Sequence, residues 1–401
     1  MPTYRIEDEI INPADADAQE TLARAHTERL RPLCLCKPQG VVMYVAKFDG
    51  HFLVKRMPNT GRSHAIECES FEPPDELTGL GEVQGSAIRE DLASGEVTLN
   101  LGFSLSKAPG KTPPAPSDKE VSSVKADTTK LTLRSTFDYL IDQAGFNRWT
   151  PRMTGKRTWG TFYKYLMQAA GNKKAKKADL SSLLYIPEPF YVDRRAEIAR
   201  ARELKLAPLA SQGGGKRKLM MLVAEVKELA PGRFGHKLIA KHLADFHFAM
   251  PDDLHTRLLK RFGAELNGWE ANPESHLMIV ATFGLGAGGY ATLEEAAFVL
   301  LSENWIPYEN AREKELLDAL TLQKRSFIKG LRYQLRSSKP MAAAVLTDTQ
   351  DPTAIYISED QSEEFDAELQ QLIDDSSFGS WIWMPGHNTL TELPSAAGGA
   401  S

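Results

Sequence analysis

All three cysteines of this 401-residue chain fall within 35 consecutive positions, as Cys34-Leu35-Cys36 and Cys68, with His64 four residues before the last. No other feature of the sequence restricts the fold so tightly. Thiolate and imidazole are preferred zinc ligands, and a structural site takes four of them in a tetrahedron. The pairs Cys34/Cys36 and His64/Cys68 supply that count from either side of a hairpin. Its strands are read at 41–46 and 52–56, around Asp49-Gly50, a dipeptide able to reach the positive φ of a tight turn. With four protein ligands and no open position, the expected role of the Zn2+ is structural. His51, at the hairpin tip, is a less well placed fourth ligand. The plain alternative is three small buried side chains beside an exposed histidine. An odd cysteine count argues against a disulfide framework and for a reducing, cytoplasmic setting.

Charge is distributed unevenly along the chain. The net charge is −5, yet residues 107–218 hold 23 Lys and Arg against 10 Asp and Glu, while residues 351–401 hold ten acids and neither Lys nor Arg. An acidic chain with one basic segment is suited to gripping a polyanion locally rather than coating it. Between 145 and 178 there are nine cations and no acid: Arg148, Arg152, Lys156, Arg157, Lys164, Lys173, Lys174, Lys176 and Lys177. Aromatic residues, among them Trp149, Trp159, Phe162 and Tyr165, are interleaved with them. Lys and Arg hold phosphates, so DNA is the expected partner, with these nine as the contact residues. A solvated helix face whose aromatics are core is the competing account. An acidic C-terminal stretch, 359–375, suits a basic protein partner.

The periodicities describe an α+β chain in several parts. Residues 1–106 read as a small zinc-bound β module with a helix at 14–30 and β-like runs at 84–89 and 97–105. A Pro-, Ser- and Lys-rich linker follows at 107–127. Residues 128–180 read as a basic helical, winged-helix-like unit, with helices at 131–144 and 158–170 and Gly145 as a stop. From 181 to 390 strands and helices alternate, as expected of a mixed α/β domain. Strands are read at 219–226, 277–283, 343–347, 354–357 and 381–384. Helices are read at 235–246, 253–266, 292–301, 310–324 and 362–374. Residues 391–401 read as a disordered tail. No run of 18 apolar residues and no basic-then-apolar leader is present, so no membrane association or secretion is expected.

Other motifs are poor in specificity. Gly284-Leu-Gly286-Ala-Gly288-Gly289 satisfies G-x-G-x-x-G in letters, but Thr292-Leu-Glu-Glu295 then reads as a capping box whose acids would repel a pyrophosphate. Lys216-Arg217-Lys218 reads as a basic loop able to add a phosphate contact. Glu313, Glu315 and Asp348, with the strands around 343–357, resemble the element order of a degenerate restriction-endonuclease-like fold. A metal-dependent nuclease is therefore an alternative, although the acid and lysine such enzymes place on the following strand are missing. His236, His242, His247 and His255 form no metalloprotease motif. No catalytic residue is assigned.

Four blocks resemble a known family: RPLCLCKPQGVVMYVAKFDGHFLVKRMPNTGRSHAIECESFEPP, FNRWTPRMTGKRTW, LLSENWIPYEN and FIKGLRYQL. They are similar to the bacterial domain-of-unknown-function family 1173 (DUF1173), noted for three cysteines near the N-terminus. The resemblance implies cargo of a mobile genetic element, such as a conjugative element, and hence a DNA-related role. The C-x-C spacing is also similar to SWIM zinc modules, but the second pair here is H-x-x-x-C. The expected function is a non-enzymatic, DNA-associated protein, with the nuclease and a protein-interaction scaffold as alternatives.

Overall fold

Pairing around Cys34 builds the first layer of the α+β computed structural model, which describes residues 3–397 apart from 14, 16, 49, 58–59, 92–95, 109–127, 172, 211–215, 233–234, 287 and 360–361. Most of the expected linker therefore lies outside the described residues. Five antiparallel strands run in the order Glu9–Ile11, Tyr4–Ile6, Leu33–Cys34, Val41–Phe48, His51–Arg56. Helix Ala18–Thr27 lies on this sheet and buries Leu22 and Ala25 against Tyr4, Ile6, Ile11 and Met43. Cys34 is cross-strand partner to both Tyr4 and Val41.

Five strands further on close into a barrel. The first half of Met220–Pro231 pairs antiparallel with His276–Leu285, and its second half pairs with His236–Ala240. His236–Ala240 continues antiparallel to Phe248–Met250, which runs parallel to the start of Ala291–Leu301. Ala291–Leu301 returns antiparallel to His276–Leu285 and closes the ring. Bulges at Val226/Glu228 and Thr282/Phe283 supply local bends. Leu222, Ala224, Leu238, Phe248, Ile279, Phe283 and Phe298 fill the interior, and helix Asp252–Arg261 adds Leu254 and Leu258.

Two expected helices are strands of this barrel. Residues 292–301 belong to Ala291–Leu301, because Phe298 and Leu300 face the barrel while Val299 and Leu301 face a second core. A strand buried on both faces shows no alternation, so its sequence reads as readily as a helix. Residues 235–246 form His236–Ala240 and then a turn in which His242 and Asp245 each adopt φ of 63°. Positive φ at two such residues ends any helix there.

The basic segment is folded onto the barrel. Helices Leu133–Gln143 and Trp159–Ala170 pack Phe137, Leu140, Phe162 and Leu166 against Met221, Val223, Met278 and Val299 on the barrel's outer side. Thr132 and Ser135 form a reciprocal cap at the start of the first helix, and Gly145, with φ of 72°, follows its end as expected. Between the helices, Arg148–Trp149 adds an edge strand to a last sheet ordered Gly379–Trp383, Thr353–Ile357, Ala344–Leu346, Phe327–Lys329, Arg148–Trp149. The stretch 391–397, expected to lack order, has Leu393 packed in the main core.

Candidate metal centre

Four donors converge although they come from separate turns. Cys34 is held in its two-residue strand, and the turn that follows carries Cys36. His64 ends the short 3-10 turn Gly61–Ser63, and a tight turn in which the Cys68 amide donates to the Ala65 carbonyl at 2.9 Å brings Cys68 back. Cys34 Sγ lies 3.7 Å from Cys68 Sγ. His64 Nδ1 lies 3.3 Å from Cys36 Sγ and 3.6 Å from Cys68 Sγ. All four donor atoms fall within 4.8 Å of one another, close enough to hold a metal ion. Among the described residues no other group of three or more His, Cys, Asp or Glu side chains does so. His51 is exposed on its strand and outside the group.

The surroundings are arranged for sulfur anions. The amides of Ala65 and Ser70 donate to Cys36 Sγ and Cys68 Sγ at 3.5 and 3.4 Å. Burial, with neighbouring Cys68 adding to it, pushes the Cys34 thiol up to about 12. Burial, then the cations Arg56, Lys37 and Arg148, push His64 down to about 4. A neutral imidazole is the form that binds metal, and a dication is the charge that lets buried thiols ionise. The three cysteines form no disulfide.

The DUF1173 family, described as proteins of unknown function, matches residues 4–386. The chain belongs to that family. Neither the curated proteins nor the solved structures yield a match.

In this DUF1173 protein the nine cations divide by direction. Arg152, Lys156, Lys164, Lys176 and Lys177 are exposed, and Lys174 pairs with Glu96 at 2.7 Å. Arg148 donates to the Phe71 carbonyl beneath the metal loop. Arg157 donates to the carbonyls of Phe146, Asn304 and Gly145 at 3.0, 3.1 and 3.2 Å. Lys173 is 1% exposed, with its ammonium 5.7 Å from the Tyr139 ring centroid. Those three therefore hold the fold together, whereas the count of charges alone assigned them to a ligand. Trp149, Trp159 and Phe162 are core residues.

The acids considered for a nuclease are engaged in ion pairs: Glu313 with Lys329, Asp348 with Arg325 at 2.8 Å, and Glu315 with Arg312 at 3.2 Å. His236 and His255 stack at 3.5 Å, and His242 stacks on Trp159 at 5.3 Å. In the acidic stretch, helix Glu363–Asp374 buries Phe365 and Leu369, and Lys339 pairs with Glu368. Sequence reading missed a cavity of about 410 Å³ beside the metal loop, lined by Arg56, Arg62, Glu72, Asp75, Glu90 and Tyr139. Burial raises the Glu72 carboxyl to about 7 against the pull of Arg56. Its lining comes from segments scattered between 56 and 143, so no local signal announces it. No described helix is long and apolar enough to cross a membrane.

Proposed function

We propose that this protein is a non-enzymatic, DNA-associated protein whose N-terminal module is held by one structural zinc ion. The donor geometry carries the zinc reading. Tetrahedral zinc at its usual bond lengths separates two sulfurs by about 3.8 Å and a sulfur and a nitrogen by about 3.6 Å. The observed separations of 3.7, 3.6 and 3.3 Å match that ion, and the full set of four donors, within 4.8 Å of one another, needs to draw in by about 1 Å at most to close on it. Three thiols and an imidazole also select a soft or borderline metal over magnesium or calcium. Elemental analysis of the purified protein tests it, with one zinc per chain expected.

DNA association rests on the outward cations. Arg152 and Lys156 stand exposed just before helix Trp159–Ala170, Lys164 lies on it, and Lys177 follows on a turn, whereas the ammonium of neighbouring Lys176 donates to the Leu101 carbonyl at 3.2 Å. Every phosphate deprived of its cation flattens the dependence of log K on log salt by about 0.9 for duplex DNA. Replacing Arg152, Lys156, Lys164 and Lys177 by Ala is expected to weaken duplex binding and reduce that slope by about 3 to 4. Unchanged binding removes this reading. A mobile-element setting rests on family resemblance, and a pull-down with the element's own DNA tests it.

A further inference from the structure

The barrel strands follow the order first, second, third, fifth, fourth and back to first, with the third parallel to the fifth. Helices Asp252–Arg261 and Gly263–Ala271 join the third strand to the fourth. This is the arrangement of an OB-type barrel, a scaffold whose surface over strands two and three, between the 1–2 and 4–5 loops, accommodates extended oligomers. Fold alone assigns no ligand, so the chemistry of the surface must decide the class.

Helices cover the outer side of strands one, four and five through Met221, Val223, Met278, Val280 and Val299. Strands two and three are left open: Lys237, Ile239 and Ala249 are partly exposed, and His247 at the entry to strand three is exposed. Register places Lys237 beside Ala249, Ala249 beside Thr292, and Thr292 beside Gly284. The result is a strip of small side chains with a lysine at one end. At the other end the chain enters the barrel through Lys216, Arg217 and Lys218, all exposed.

Of the four acids on these strands, Glu225, Glu228, Glu294 and Glu295, two are neutralised by ion pairs. Glu294 is held by Lys107 at 2.6 Å, and the buried Glu225 is held by Lys241 at 2.6 Å and His276 at 2.7 Å. Among the described residues, Glu228 is the one exposed acid on the five strands, and Glu295 is half-buried. Lys216, Arg217, Lys218, Lys227 and Lys237 form no ion pair with a described residue.

The 4–5 loop adds an aromatic platform. Tyr290 is 72% exposed, and its ring lies along the loop backbone, where a Cβ on Gly288 would sit 2.9 Å from Tyr290 Cε2. A side chain at 288 would make that ring shift. An exposed aromatic beside unpaired cations is the pairing that single-stranded nucleic acid recognises, since every base offers a π-face and every nucleotide a phosphate.

We infer that this barrel surface binds single-stranded nucleic acid, with Lys237, Arg217 and Lys218 contacting phosphates and Tyr290 stacking on a base. The site is distinct from the duplex-facing cations at 152–177, and its ligand class differs. Fluorescence anisotropy of the full chain with a labelled oligothymidylate of about 15 nucleotides tests it. The K237A/R217A/K218A variant is expected to lose at least about tenfold in affinity, with the salt slope reduced by about 2. Tyr290→Ala is expected to lose about 5- to 20-fold. Both variants should melt with the wild type, because all four residues lie at the surface. The R152A/K156A/K164A/K177A variant should bind the single strand normally even where duplex binding is lost. Absence of oligothymidylate binding by the wild type at about 50 mM salt overturns the inference. So does unchanged affinity in the first two variants, or a loss confined to the Arg152 variant.

Discussion

Lys329 Nζ donates to Glu313 Oε1 at 3.0 Å in the protein interior, with the two side chains 3% and 7% exposed. Lys329 also donates to the Gly330 carbonyl at 2.7 Å, and Glu313 accepts from the Glu309 amide at 2.8 Å, so both charges are well satisfied. Removing one partner strands the other in a dry site. Glu313→Ala is expected to destabilise the fold by about 3–5 kcal/mol, whereas the apolar double replacement E313L/K329M recovers most of the loss. Urea unfolding of E313L, K329M and the double variant measures the coupling, and purely additive losses would contradict it.

Arg157 tethers the basic segment from within. Its guanidinium serves the carbonyls of Phe146, Gly145, Arg148 and Asn304 and lies 4.9 Å from the Phe146 ring centroid. Burial pushes its pKa down to about 10, and no acid offsets this. Arg157→Ala is expected to cost about 3 kcal/mol or more, and Arg157→Lys to recover little, because an ammonium cannot serve that planar fan of carbonyls. By contrast Arg152→Ala is expected to leave the melting temperature nearly unchanged. Thermal denaturation distinguishes the two positions, and equal stability for all three variants refutes the structural role of Arg157.

Asp138, 4% exposed on helix Leu133–Gln143, should make stability fall as pH rises. Burial raises its carboxyl to about 7, with Arg134 offsetting part of the rise. The folded state thus holds the proton that the unfolded chain releases near pH 4. That contribution is complete below about pH 4 and is lost as pH climbs to about 7, at no more than about 1.4 kcal/mol per pH unit. Asp138→Asn should flatten the decline between about pH 5 and 7. Guanidinium melts at several pH values provide the comparison, and an identical pH profile in the variant would show that Asp138 ionises normally.

Chelation should act on one part of the molecule first. The sheet around Leu33–Cys34 has a small core of its own, whereas the barrel is filled by a far larger apolar cluster. A strong chelator is expected to raise hydrogen exchange and thiol reactivity over 33–70 while strands Met220–Pro231 and His276–Leu285 stay protected. Cys36→Ser should weaken metal affinity by at least about 100-fold, since even partners outside the ligand set cost 10- to 100-fold at such sites. Uniform loss of protection along the chain, or none anywhere, runs against a local structural ion.

The convergence of the four donors was legible in sequence because ligation depends on residue identity, and three cysteines and a histidine crowded into one stretch suit a metal ion. Helices Leu133–Gln143, Trp159–Ala170, Ala311–Leu322 and Glu363–Asp374 were legible too, since each buries one face and shows a helical period. The barrel was not. His236–Ala240 and Ala291–Leu301 become strands only because partners lie beside them, and the second, walled in on both faces over its C-terminal half, carries no alternation to read there. Charge counting likewise located the basic segment but not its sidedness. Backbone carbonyls at Phe71 and Gly145 draw Arg148 and Arg157 inward, while Arg152 and Lys156, close by in the chain, face water. Local chemistry thus came from the residues themselves, whereas pairing and direction, being relations between segments far apart in the chain, were decided only by the tertiary structure.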